Sequence, residues 1–139
     1  MRIVTKEIIV STVGNCDIKN ITDNVKEILY GSKMSEGNCN ITSIGSTASI
    51  TTLEYEPGLV KDLPRILDKL IPVYAKYHHN ETWGDNNGHA HIRSAIFGTS
   101  LNIPFLKGEL ILGTYQQLIL IDFDNRSRNR RVVIQMIGA

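Results

Sequence analysis

The sequence predicts a single α+β domain over residues 1–139, largely antiparallel β-sheet with two main helices. Three observations predict it. Apolar periodicity switches between the strand period of about 2 and the helix period of about 3.6, without the regular strand–helix alternation of a doubly wound sheet. Lys107-Gly108 joins two β-like segments tightly, which argues for an antiparallel hairpin. A chain of 139 residues with 42% hydrophobic content has the size and composition of one domain with one core.

Taken in order, Thr5 to Ser11 is rich in Ile and Val and alternates, which predicts a strand. Over Ile18 to Leu29 the period changes. Ile21, Val25, Ile28 and Leu29 share one helical face, with Thr22 as N-cap and Gly31 as stop. In Gly37 to Leu53, Cys39, Ile41 and Ser43 alternate with Asn40, Thr42 and Ile44. That predicts one strand there and a second through Ala48 to Leu53. After Pro57-Gly58, the residues Leu59, Val60, Leu63, Ile66, Leu67, Leu70 and Ile71 form an amphipathic helical pattern that Pro72 ends. Pro64 fits it only in the first turn or at a kink. A long polar loop follows, then a short helix over Ala90 to Phe97 that stops at Gly98. Leu101 to Leu106, Glu109 to Asp122 and Arg131 to Ile137 read as three strands of a meander. Gly113 marks a bulge or a close backbone approach within it, and Asp124 to Asn129 a polar, basic turn.

The formal net charge of +1 gives no basis for nucleic-acid or anionic-membrane binding. No apolar run is long enough to span a bilayer. Met1 to Lys6 reads as a strand start, so a cytoplasmic protein is expected. Cys16 and Cys39 have no metal-motif spacing and are expected as free, partly buried thiols.

Chemistry concentrates in His78 to Arg93, which holds all four histidines and the single tryptophan. Long polar loops in compact domains tend to carry function, and neutral imidazole is a common metal ligand. A metal-binding or acid/base site is therefore expected there, against the plainer reading of a solvated loop. His89 and His91 would share a face on an extended segment and diverge on a helix. With His79 and a carboxylate they would make a three- or four-ligand divalent site, zinc being the default; the candidate set is His79, His89, His91 and Glu54. Glu54 and Glu56 flank Tyr55 at a strand end, as ligands or bases or as a solvated end before a helix. Asp85, beside Asn86 and Gly88, forms a turn or orients a histidine. Arg93, Arg126, Arg128, Arg130 and Arg131 are the natural anion binders, although the last four suit a solvated hairpin turn. Thr99 and Ser100 after Gly98 offer donors for phosphate, and Thr114 and Gln116 suggest a ladder bulge or a pocket wall. No Walker loop, dinucleotide fingerprint or nucleophile elbow is present.

Ser100-Leu-Asn-Ile-Pro-Phe, then Gly108, then Leu112-Gly113-Thr114-Tyr115-Gln116, resembles the signature of the YjbQ-type family. That family was long left uncharacterised, and its members are now often named secondary thiamine-phosphate synthases. Tyr115 stands where the signature usually has tryptophan. Asp85-Asn86 with Ala90-His91-Ile92-Arg93, Thr47 to Thr51, Glu54 to Pro57 and Val132 to Gly138 resemble further family segments. The resemblance implies an α+β fold, a compact homotrimer and a polar site near a subunit boundary. It also implies an enzyme that joins a pyrimidine diphosphate to a thiazole phosphate and releases diphosphate. His91, Asp85, Arg93 and Ser100 would then be the catalytic set for a small phosphorylated substrate, with zinc, or magnesium carried by a diphosphate. The alternative is a non-catalytic trimer that binds a metal or small ligand. Many members have a histidine just before the Ser/Thr-Thr-Ala segment, where this chain has Gly45, so that role would be absent here or fall to another residue such as His89 or Glu54.

Overall fold

The computed structural model describes residues 1–139. Strands β1 (Arg2–Thr12) and β2 (Asp17–Asn20) are followed by helix α1 (Thr22–Ser32), then by β3 (Glu36–Ser43) and β4 (Ala48–Leu53). Three helices come next, α2 (Pro57–Leu70), α3 (His78–Trp83) and α4 (Gly88–Phe97). The chain closes with β5 (Ser100–Leu106), β6 (Glu109–Leu110), β7 (Gln117–Asp122) and β8 (Arg128–Gly138). One sheet has the order β1-β8-β3-β5-β6 and the other β2-β7-β4, and every pairing is antiparallel. The α+β, mostly antiparallel architecture expected from the sequence is present.

Strand β7 explains how the layers meet. Leu118 and Leu120 pack with Cys39, Ile41, Phe105, Ile134 and Met136 of the larger sheet and with Val25 and Leu29 of α1. Ile119 and Ile121, on the other face, pack with Leu67 of α2, Ala90 of α4 and Phe123. A strand buried on both faces reads as a continuous apolar run, as Leu118 to Ile121 does. The helices α2 and α4 thus sit on the outer face of the small sheet, and the candidate chemistry sits where they meet it.

Several elements differ from the sequence expectation. Ile18 belongs to β2, opposite Ile121, and not to the first helix. Asn20 Oδ1 accepts the Thr22 N–H at 3.1 Å and marks the change to helix. Thr22 is the first helical residue, and its hydroxyl accepts the Leu118 N–H at 2.8 Å instead of capping α1. Gly31 lies inside the helix, which closes at Lys33 in the left-handed region. Helix α2 starts earlier than its apolar pattern because the Glu56 carboxylate caps Gly58 and Leu59 N–H groups ahead of Pro57-led backbone. Pro64 stands inside this helix.

The expected strand Glu109 to Asp122 is two strands in different sheets. Gln116 Oε1 accepts the Gly113 N–H at 2.9 Å and folds the intervening residues into a turn. The final strand takes in part of the basic turn, beginning at Arg128. Cys16 and Cys39 are free and buried, and burial pushes both thiols up to about 11. No helix is long and apolar enough to cross a membrane.

Candidate active site

The expected polar loop is instead two helices, α3 and α4, joined by four residues from Gly84 to Asn87. Gly88 lets them approach. Its N–H donates to Asn80 Oδ1 at 2.9 Å, and a Cβ there would come within 2.7 Å of Tyr77 Cβ. The approach sets the His79 and His91 rings 4.4 Å apart at centroid, tilted by 54°. His79 Nε2 lies 3.0 Å from Asn87 Oδ1 and 3.3 Å from Asp85 Oδ1. Asp85 therefore does both things foreseen for it: it sits in the connecting turn, and it touches a histidine. Its carbonyl accepts Asn125 Nδ2 at 2.7 Å, which ties this turn to the one after β7.

Beneath the pair lies a buried charge network. Asn87 Nδ2 donates to Asp124 Oδ1 at 3.2 Å. Thr47 Oγ1 and Arg128 Nη2 donate to Asp124 Oδ2 at 3.1 Å and 2.7 Å. Arg130 forks onto Asp122 at 2.7 Å and 2.8 Å, and its Nη2 also reaches Thr47 Oγ1 at 2.7 Å. Both aspartates are buried. Burial pushes Asp124 up, but hydrogen bonds from Asn125 N–H, Arg128, Asn87 and Thr47 outweigh it and hold the carboxyl down at about 2. Asp122 is likewise held below its ordinary value, where Arg130, Thr12 and the Asp124 N–H outweigh the effect of burial. Ion pairs this buried stabilise only when well hydrogen-bonded, and here each oxygen of both carboxylates accepts at least two hydrogen bonds.

On its other side His91 lines a surface cleft of about 420 Å³ with Gly45, Ser46, Ser94, Ala95, Gly98 and Thr99. Hydroxyl-bearing side chains thus stand beside a half-buried imidazole. Gly45 has φ +134°, and a Cβ there would lie 3.1 Å from Arg130 Nη1. A side chain at this position is strained, so this backbone does not favour the histidine that the resemblance led one to expect there. A second cleft, of about 430 Å³, is lined by Lys26, Tyr30, Thr114 and Gln116. Thr114 and Gln116 are thus cleft-wall residues, as one of their two readings had it. That cleft contains no histidine, so the chemistry favours the first.

Other expected site residues stand apart. His89 is on α4 with His91 but diverges from it and is buried, and its Nδ1 has no hydrogen-bond partner. Burial first, and then the Arg93 charge, push its pKa below the ordinary value, so the ring is neutral. Arg93 is 2% exposed. Its Nε and Nη2 donate to the Ile71 carbonyl at 3.1 Å and 2.7 Å, and Nη2 pairs with Asp68 at 3.2 Å. It closes the C-terminal end of α2 and does not face the cleft. The Ser100 hydroxyl hydrogen-bonds with Asn40 and Thr42, each at 2.9 Å, on β3; its neighbour Thr99 lines the cleft. Glu54 is exposed beyond β4, Glu56 caps α2, and Arg126 is exposed. The set His79, His89, His91 and Glu54 is therefore not gathered. No three His, Cys, Asp or Glu side chains converge to hold a metal ion, so one chain offers no shell for a resident zinc.

The residues that sequence reasoning missed are Asn87, Asp122, Asp124 and Thr47. One signal was available: Asp122-Phe-Asp124 closes an apolar strand, where carboxylates need partners.

Comparison with known proteins agrees with this architecture. The family model described as UPF0047 protein YjbQ-like matches residues 6–139. A UPF0047 protein of Methanothermobacter thermautotrophicus is 33% identical over 138 residues, covering 99% of this chain and 94% of the relative. The UPF0047 protein YugU of Bacillus subtilis is 31% identical over 134 residues, covering 96% of this chain and 98% of the relative. The crystal structure of a YbjQ-like protein of unknown function from Sulfolobus solfataricus superposes with a TM-score of 0.94 at 29% identity, covering 99% of each chain. That of an uncharacterised YjbQ/UPF0047 protein from Clostridium acetobutylicum gives 0.87 at 32% identity, over 95% of this chain and 99% of the other. With residues 6–139 matched by one family model and with relatives and solved structures of the same architecture covering nearly all of it, the chain belongs to the YjbQ/UPF0047 family.

Proposed function

We propose that the chain is a small-molecule enzyme whose acid–base centre is the His79–His91 pair, acting on phosphorylated reactants held in the cleft beside His91. One observation carries this reading: the two imidazoles touch at 4.4 Å, one bound to Asp85 and Asn87 and the other open to a hydroxyl-lined cleft. Paired titratable groups at a cleft are the usual marks of general acid–base work.

The reaction proposed is of the thiamine-phosphate synthase type, which the family resemblance supports. The thiazole nitrogen attacks the pyrimidine methylene carbon, a C–N bond forms, the C–O bond to diphosphate breaks, and diphosphate leaves with the electron pair. The new ring nitrogen carries the positive charge, so no base is needed at the nucleophile. The protein must neutralise the departing diphosphate and hold two anionic reactants in line. His91, assisted by His79, is the donor to the leaving oxygen, and Ser46 and Thr99 supply neutral hydrogen bonds. A magnesium ion would arrive with the diphosphate, since magnesium is ordinarily bound through substrate phosphates and few carboxylates. The resemblance also supports a homotrimer, which the mass in solution by light scattering decides.

The test is a titration with the pyrimidine diphosphate and the thiazole phosphate, with and without magnesium, followed through histidine ring resonances. Saturable shifts of His91 and His79, with product formed when both are present, support the reading. Saturable binding without product would make the protein a ligand-binding module instead. No shift with either compound would remove this substrate class.

A further inference from the structure

The atoms around Asn87 fix more than its own position. Asp124 is buried, and its oxygens receive donors from all sides: Asn125 N–H at 2.8 Å and Asn87 Nδ2 at 3.2 Å on Oδ1, Arg128 and Thr47 on Oδ2. A carboxylate held ionised accepts and cannot donate. The Asn87 atom that faces it is therefore the amide nitrogen, and the amide oxygen faces His79 Nε2 at 3.0 Å. An amide oxygen also only accepts. The second neighbour of Nε2, Asp85 Oδ1 at 3.3 Å, is a carboxylate oxygen of the same kind. Two acceptors thus converge on one ring nitrogen, and the nitrogen between them must carry the proton.

We propose that Asp124 is a positioning residue: acting through Asn87, it holds the neutral His79 ring in the Nε2–H tautomer and leaves Nδ1 as its only free lone pair. A chain of three side chains, carboxylate to amide to imidazole, thereby decides which atom of His79 takes part in proton transfer. Whether His79 is neutral or charged, Nε2–H stays bound to Asn87 and Asp85, so a proton enters or leaves the ring at Nδ1. A ring whose orientation and tautomer are set in advance needs no reorganisation when it acts. The catalytic meaning of this rests on the acid–base reading of His79 above; the tautomer itself belongs to the resting protein and is measured without substrate.

The experiment is long-range 1H–15N correlation on protein with 15N-labelled histidine, at about pH 9, above the ordinary histidine range. Signals are assigned by His79→Gln and His78→Gln. His78, 94% exposed in its side chain, gives the reference tautomer ratio once Glu81→Ala has removed the carboxylate 3.4 Å from its Nδ1. The Nε2–H form of His79 is expected to exceed the His78 ratio by about fivefold to tenfold, the factor set by one net hydrogen bond. Asn87→Ala should bring the ratio most of the way back, and Asp124→Asn should lower it by letting Asn87 turn over. If Asp124→Asn does not fold, Asn87→Ala carries the test, with Asp85→Asn measuring the share of the second acceptor. An Nδ1–H tautomer in the wild type, a His79 ratio equal to that of His78, or a ratio unmoved by Asn87→Ala in folded protein would each overturn the proposal. Loss of synthase activity, or its absence from the wild type, bears on the proposed function and leaves the tautomer assignment standing.

Discussion

The rings of His79 and His91 lie 4.4 Å apart because Gly88, between them in sequence, has no side chain to keep α3 from α4. Only two histidines of the four meet, and the helix that carries His91 turns His89 into the core behind it.

Gly88→Ala should loosen this junction. The added methyl meets Tyr77 Cβ at 2.7 Å and Asn80 Oδ1 at 3.0 Å, so α3 must move. Overpacking of this kind destabilises by about 1–3 kcal/mol. Thermal unfolding would report the loss, and a crystal structure of the variant would show the rings farther apart. Unchanged stability together with an unchanged ring distance would contradict the role given to Gly88.

Arg93→Ala is expected to destabilise by about 1–3 kcal/mol, because the half-buried Ile71 carbonyl loses its charged donor, while the exposed Asp68 carboxylate adds little. Arg93→Lys should recover only part of this, since one ammonium cannot reproduce the fork. Denaturant unfolding measures both. Substrate affinity of the folded Arg93→Lys protein should stay within about twofold of wild type. A tenfold weaker affinity at unchanged stability would return Arg93 to the substrate site.

Stability should fall in two stages as pH is lowered. His89 has its folded pKa depressed below the ordinary 6.5, so the folded state binds fewer protons than the unfolded one in that range. Its contribution is fully present above 6.5 and is lost as pH falls through the folded value. Asp124, at about 2 in the fold against 3.8 ordinarily, contributes about 2 kcal/mol above 3.8 that is lost as pH falls towards 2. Urea midpoints across pH would show both limbs, and His89→Gln should flatten only the upper one. A wild-type profile without the upper limb would mean that His89 is not buried as a neutral ring.

Gly45→His places a histidine where the family resemblance led one to be expected, and it should nonetheless harm the fold. The backbone at φ +134° disfavours any side chain, and Arg130 Nη1 lies 3.1 Å from the new Cβ. A loss of about 1–3 kcal/mol is expected, read as a lowered unfolding midpoint. A variant as stable as wild type, with higher activity, would show that the loop accepts the histidine.

What the sequence made legible follows from where burial leaves a period. Leu118 to Ile121 is apolar throughout because both faces are buried, and β1, β3 and α2 show their own patterns clearly. The break at Gly113 was hidden because Ile111 and Leu112 continue the apolar run up to it, and only the turn made by Gln116 separates β6 from β7. Helix α3 was hidden for the opposite reason: none of its residues is buried, so it carries no amphipathic signal, and Asn80 ties it to α4 through tertiary contact. Residue types drew attention to His79, His91 and Asp85, which the structure brings together. They could not show that His89 and Arg93 turn inward, which depends on the helical phase of α4. Nor could they reveal the Asp124–Asn87 link, which joins positions far apart in the chain.

The most direct measurement is diphosphate release from the pyrimidine diphosphate in the presence of the thiazole phosphate, compared among wild type, His91→Gln and His79→Gln. The account predicts turnover in the wild type and a loss of about 10²-fold or more in kcat for each variant, with the fold intact. Turnover unaffected by either substitution would contradict the assignment of the pair as the acid–base centre, and no turnover in the wild type would contradict the reaction itself.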